Sequence, residues 1–149
     1  MVLMRCVVCG VGNRLRGDDA VGPVVVEKLQ ERFGSSDDLL FIDCGSAPEN
    51  FLSKIKKFGP SKVVVVDAVE LGEDAGAVEV VDTSRIKGFL HSTHQLPLSL
   101  FVGYLEKGGG CEVVFVGVQP KAVGFGVALS RECEAAIDRA VEVVSKMIE

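Results

Sequence analysis

Tryptophan is missing from this 149-residue chain, histidine occurs only twice, and basic side chains are in deficit, 16 Lys and Arg against 21 Asp and Glu. The resulting formal charge of −5 argues against a nucleic-acid or anionic-membrane partner, which would require a basic stripe. Lys54, Lys56 and Lys57 make the one dense basic cluster and read as a solvated helix face. No apolar run approaches the roughly 20 residues of a membrane span, and the N-terminus does not combine a charged start, an apolar stretch and a cleavage site. The expectation is a cytoplasmic protein without membrane insertion. Cysteine occurs in an odd number, five, scattered at Cys6, Cys9, Cys44, Cys111 and Cys133, which suits reduced thiols and not a disulfide framework. Cys6 and Cys9 spell a C-x-x-C, but within a strand that spacing sends the two side chains to opposite faces, which disfavours a redox or metal role.

What is present is a globular composition, 48% hydrophobic and 25% charged, with valines in short runs that suit buried strands. The length suits a single domain over residues 1–149, able to bury about two thirds of its unfolded surface without staples. Leu3–Cys9 predicts a first strand and Val21–Phe33 a first helix with Pro23 in its first turn. Leu39–Asp43 predicts a second strand, and Pro48–Phe58 a helix that Gly59-Pro60 stops. Lys62–Val66 is a buried strand that delivers Asp67 at its carboxyl end. Ala77–Val81 is a shorter strand with too little chain before it for a crossover helix, so it returns antiparallel. A helix over about Gln95–Glu106, a strand over Glu112–Val118 and a final helix capped by Ser130 complete the series, the last with Ile137, Val141, Val144 and Ile148 on its apolar face.

Strands alternating with helices predict an α/β fold. Its form is a three-layer α/β/α sandwich with a five-stranded, mostly parallel sheet, in which the strand near residues 77–81 is the one antiparallel member. Ligands of such sheets bind beyond the carboxyl ends of the strands, the edge where the first turn, Asp43 and Asp67 lie.

The turn after the first strand is the densest motif: Gly10-Val11-Gly12-Asn13-Arg14-Leu15-Arg16-Gly17-Asp18-Asp19-Ala20-Val21-Gly22. Its glycines let the backbone leave a strand sharply, and its acids fall where a helix begins. As a dinucleotide loop it is defective, because the third glycine of G-x-G-x-x-G would fall at Leu15 and carboxylates at the helix start would repel a pyrophosphate. No P-loop lysine pattern is present. Asp18 and Asp19 each stand between two roles, helix cap and ligand, while Asp43, followed by Cys44-Gly45-Ser46, suits bonding to turn amides.

Both histidines stand in Leu90-His91-Ser92-Thr93-His94-Gln95-Leu96-Pro97-Leu98, ahead of the third predicted helix. A capping or packed imidazole is the plain alternative to a ligand. Folded over the same sheet edge, that loop would bring one imidazole nitrogen to oxygens from the first turn and from Asp67. Such an N,O,O set with open positions suits zinc or nickel, where a metal polarises a carbonyl or activates water. His-Glu-x-x-His is absent, which sets aside the common zinc-protease helix.

Gly10-Val11-Gly12-Asn13 with Gly17-Asp18-Asp19, Val66-Asp67-Ala68, Ser92-Thr93-His94-Gln95-Leu96-Pro97-Leu98 and Gly117-Val118-Gln119-Pro120 together resemble the hydrogenase maturation endopeptidases. These trim the carboxyl terminus of the nickel-containing large subunit of NiFe hydrogenases. Gly45-Ser46-Ala47-Pro48-Glu49-Asn50 looks like the formate-hydrogenlyase-type branch. The order and spacing of the motifs carry the resemblance over nearly the whole chain, as one domain. It implies an endopeptidase acting on the large-subunit precursor after nickel insertion. Asp19, Asp67 and His94 are then the metal-binding and catalytic residues, and Asp18 is structural. The nickel is implied to be the precursor's own, with zinc or cadmium able to occupy the site in vitro. Ala20 stands where many relatives have glycine, which implies a backbone there without positive φ, and His91 adds an imidazole one helical turn before His94. The alternatives are a non-catalytic nickel-dependent module that docks on the immature subunit, a nucleotide-binding module and a general aminopeptidase.

Overall fold

Valine-rich segments in register build the centre of the molecule. The computed structural model describes residues 4–84, 95–108 and 110–148. Strands β1 (Cys6–Val11), β2 (Leu39–Gly45), β3 (Lys62–Ala68), β4 (Val78–Val81) and β5 (Glu112–Val118) form one sheet in the order β2-β1-β3-β5-β4. β1 pairs in parallel with β2 and β3, and β3 with β5, whereas β4 runs antiparallel to β5 as its spacing predicts. The α-helices whose bounds lie within the described residues are α1 (Val21–Phe33), α2 (Leu52–Phe58), α3 (Gln95–Gly108) and α4 (Arg131–Ile148).

Both faces of the sheet are covered, which is why its central strands β1, β3 and β5 are mostly apolar and do not alternate. Val7, Cys9, Val63, Val65 and Phe115 pack with Ile55 of α2 and with Leu98, Phe101, Val102 and Leu105 of α3. Val8, Val64, Val66 and Val116 pack with Val25 and Leu29 of α1 and with Ile137, Val141 and Val144 of α4. Each fully buried side chain of this size contributes about 1.5–3 kcal/mol. The predicted three-layer sandwich is therefore the arrangement that forms. Cys6 and Cys9 belong to opposite layers, and all five cysteines are free and buried. Burial pushes the Cys6 thiol up to about 11, which keeps it inert at neutral pH.

Some boundaries differ from expectation, and strand pairing explains most of them. β1 starts at Cys6, where Leu39 and Lys62 first offer partners, and continues to Val11 opposite Gly45, so Gly10 and Val11 are strand and not turn. The predicted start at Leu3 lies outside the described residues. β3 runs on to Ala68 because β5 accompanies it as far as Val118, which places Asp67 inside the strand, opposite Gly117. Pro48–Phe51 forms a 3-10 turn ahead of α2, with Ala47 held extended before the proline.

The strand order reverses between β1 and β3, where open α/β sheets leave a crevice. The first turn of α1 sits against that seam backbone to backbone. A Cβ on Gly22 would run into the carbonyl oxygens of Val11 and Val66, and one on Gly10 into the carbonyl oxygen of Gly22. Gly22→Ala is thus expected to cost about 2 kcal/mol by forcing the helix off the sheet. That is a fall of roughly 4–8 °C in Tm, and an unchanged thermal melt would refute the close approach.

Candidate functional site

The chain leaves β1 and reaches α1 through a 3-10 turn, Gly17–Ala20, in which every residue is buried. Gly12, at φ +142°, takes the corner, because a side chain there would meet the Asp19 carbonyl oxygen. Ala20 sits at φ −78°, the ordinary helical region that its side chain implies. The Asn13 amide donates to Asp19 Oδ2 at 3.0 Å, while Asn13 Oδ1 accepts from the Leu15 amide at 2.8 Å. Asp19 is thereby tied to the turn that carries it.

Asp18 serves a different purpose. Its carboxylate accepts from the amides of Lys121 at 2.8 Å, Ala122 at 2.9 Å and Ser130 at 2.7 Å, and from the Ser130 hydroxyl at 2.9 Å. Burial alone would push this carboxyl up, but the Ala122, Ser130 and Lys121 donors more than offset that and hold it below the ordinary carboxylate range. The Ser130 hydroxyl in turn accepts from the Cys133 amide at 3.2 Å, the helix cap expected for α4. Asp18 makes no cap on α1. It is a brace that fastens residues 121–130 to the turn.

Asp67 is fully buried, and by the two-residue repeat of β3 it shares the face of Val63 and Val65 that α2 and α3 cover. The 3-10 turn bearing Asp19 packs against β3. Among the described residues neither Asp67 oxygen has a hydrogen-bond partner. Burial raises its carboxyl well above the ordinary value, and the neighbouring Asp19 charge raises it further. The Ala68 amide pulls the other way without completing a hydrogen bond. A buried carboxylate normally has donors, and two oxygens beside a second carboxylate are a donor set that would suit a cation.

The remaining expected residues fall as follows. His91 and His94 lie outside the described residues. α3 opens at Gln95, directly after His94 in sequence, and ends at Gly108, shortly before β5 begins at the Lys62 end of the sheet, so its first turn points to the carboxyl edge where Asp67 lies. Among the described residues no three His, Cys, Asp or Glu side chains converge as a metal site. Asp43 accepts from the Gly45 amide at 3.0 Å, as its turn sequence suggests, and also pairs with Arg14 at 3.2 Å.

The family model of the hydrogenase maturation proteases (HycI) matches residues 23–147. The hydrogenase 3 maturation protease of Escherichia coli is 35% identical over 136 residues, 91% of this chain and 85% of its own. The chain belongs to the hydrogenase maturation proteases. The crystal structure of a NiFe hydrogenase maturation protease HycI from Thermococcus kodakarensis shares its fold at a TM-score of 0.86 and 35% identity, covering 97% of this chain and 92% of that one. The hydrogenase maturating endopeptidase HybD from E. coli aligns at a TM-score of 0.83 and 28% identity, covering 97% and 91%. This protease is accordingly a peptide-bond hydrolase on an α/β sandwich. Among its described residues no helix is long and apolar enough to cross a membrane.

Two further features lie near these carboxylates. The buried Gln119 side chain accepts from the Leu71 amide at 2.7 Å and donates to Glu70 Oε2 at 2.9 Å, which knits the loop after β3 to the end of β5. Its signal is a glutamine directly following a valine-rich buried strand. A cleft of about 310 Å³, lined by Gly12, Asn13, Arg14, Asp43, Gly45 and Ser46, opens beside the Asp19 turn. Arg14 walls it while paired with Glu27 at 3.0 Å and with Asp43.

Proposed function

We propose that this protease removes the C-terminal extension of the NiFe hydrogenase large-subunit precursor, and that Asp19, Asp67 and His94 read the nickel already inserted in that precursor. The observation that carries the reading is the Asp67 carboxylate, buried beside Asp19 with no donor among the described residues. A divalent cation compensates both charges at once, and a third donor is what an imidazole at position 94 would add. The relatives' own names, maturation protease and maturating endopeptidase, agree with that substrate class.

Hydrolysis here means that water adds to the scissile carbonyl carbon, the C–N bond breaks, and the new amine leaves with a proton. Docking the precursor's nickel on the two carboxylates and His94 fixes the scissile peptide beside them, which converts a search into a positioned reaction. The cation also draws electron density from a nearby carbonyl. Because the nickel is the substrate's, the resting protease needs no metal of its own, and zinc or cadmium would occupy the same oxygens in vitro. Five buried free thiols and a net charge of −5 favour action in the reducing cytoplasm, with neither nucleic acid nor membrane as partner.

The test is mass analysis of the precursor after incubation with purified protease. Nickel-loaded precursor is expected to lose its tail and nickel-free precursor to stay intact; equal cleavage of the two would end the nickel-reading assignment.

A further inference from the structure

We infer that an apolar knob beside the carboxylates, made by Leu15, Val123, Phe125 and Val127, docks the folded body of the large-subunit precursor. The inference rests on the proposed function. Leu15 is 71% exposed and Phe125 73%, with Val123 and Val127 at 42% and 43%. Single exposed apolar side chains are ordinary, but four gathered on two adjoining segments are not. The backbone gathers them. The Gly124 amide donates to the Arg16 carbonyl at 3.4 Å and the Gly126 amide to the Leu15 carbonyl at 3.3 Å, so the 121–130 loop lies along the first turn. The Arg16 guanidinium stands 5.3 Å from the Phe125 ring centroid and holds the ring in place.

Asp18 fastens this loop at both ends, to Lys121 and Ala122 on one side and to Ser130 on the other. A fully buried carboxylate therefore holds rigid a loop whose largest side chain gains little burial of its own. The fold derives little from presenting Phe125 to water, whereas a binding partner gains a preorganised aromatic anchor backed by arginine, the kind of group that dominates interfaces.

The occupant follows from position. Leu15 and Arg16 belong to the turn that carries Asp19, so the knob is continuous with the surface that any precursor seated on Asp19 and Asp67 must cover. The polar cleft lined by Gly12, Asn13, Arg14 and Ser46 lies on the β2 side of that turn and suits an extended tail. The knob, exposed and apolar, suits a hollow on a folded surface. A second copy of this chain is the poorer fit, because each copy brings a formal charge of −5.

The experiment compares the wild type with Leu15→Ser/Phe125→Ser on nickel-loaded precursor. KM is expected to rise about tenfold, equal to roughly 1.4 kcal/mol of lost docking, with kcat within about twofold and Tm unchanged. Phe125→Leu, which keeps an apolar side chain, should restore most of the KM. If the double variant melts early, Phe125→Ser alone carries the same comparison. An unchanged KM in a folded variant overturns the inference while leaving the proposed function standing. So does a wild-type dimer, seen by light scattering, that the variant loses without any change in KM. Failure of the wild type to cleave the precursor removes the proposed function, and this inference with it.

Discussion

Asp67→Asn is expected to abolish tail release, a loss on the order of a thousandfold, and at the same time to raise Tm by roughly 2–8 °C at pH 7. The two effects share one cause. Asp67 sits fully buried with no donor to either oxygen among the described residues, and the Asp19 charge beside it adds to the cost of ionising it. Asparagine keeps the shape and removes the charge. It relieves about 1–2 kcal/mol of native-state cost while deleting one of the two carboxylates proposed to meet the nickel.

The pH dependence gives this account a sign. A carboxyl whose folded pKa is raised costs nothing below the unfolded value near 3.9, because both states then hold the proton. As pH climbs from there toward the folded value, the unfolded chain releases its proton first, and stability falls. Above the folded value the penalty is complete and flat. Protonated Asp67 and the asparagine of the variant both leave a neutral polar group in the same place, so the two melts should coincide near pH 4 and separate by pH 7. An equal separation at both pH values would mean that packing, not charge, sets the difference. Intact processing by the variant would mean that Asp67 does not meet the metal.

How much of this is legible in the chain depends on whether the cause is local. The bounds of α1 and β5 can be read from the sequence, because helical spacing, Pro23 and the valine run of 112–118 are local signals. The ends of β1 and β3 cannot, since Gly10, Val11 and Asp67 become strand only through partners supplied by Leu39–Gly45 and Glu112–Val118. Gly22 reads as a poor helix residue until the carbonyls of Val11 and Val66 are seen above it. Asp18 and Asp19 are adjacent and chemically alike, so spacing alone cannot separate them. A 3-10 turn sends one to the 121–130 loop and leaves the other tied to Asn13. The family motifs imply a shared role for Asp19 and Asp67, and in the structure the Asp19 charge lies near enough to raise the Asp67 carboxyl. The apolar knob has no local signal, because its four residues come from segments about a hundred positions apart.

Asp18→Ala is expected to lower stability by about 3 kcal/mol, a fall of roughly 6–12 °C in Tm, as suits a structural brace. Removing the carboxylate strands three amides and a hydroxyl, from Lys121, Ala122 and Ser130, around a fully buried position. Each orphaned donor costs about 1–3 kcal/mol, reduced here because an exposed loop can peel away to water. The sign with pH is the reverse of that for Asp67. With its folded pKa lowered, Asp18 contributes fully above the unfolded value near 4 and loses its contribution as pH falls through the folded value. The gap between wild type and variant should therefore be wide at pH 7 and shrink toward pH 2. Peeling of the 121–130 loop also frees the Phe125 knob and slackens the turn that holds Asp19, so processing should weaken through KM and kcat together. A variant with the wild-type melt would show that the loop stands without its brace, and a loss confined to kcat would place Asp18 among the groups that touch the reacting peptide.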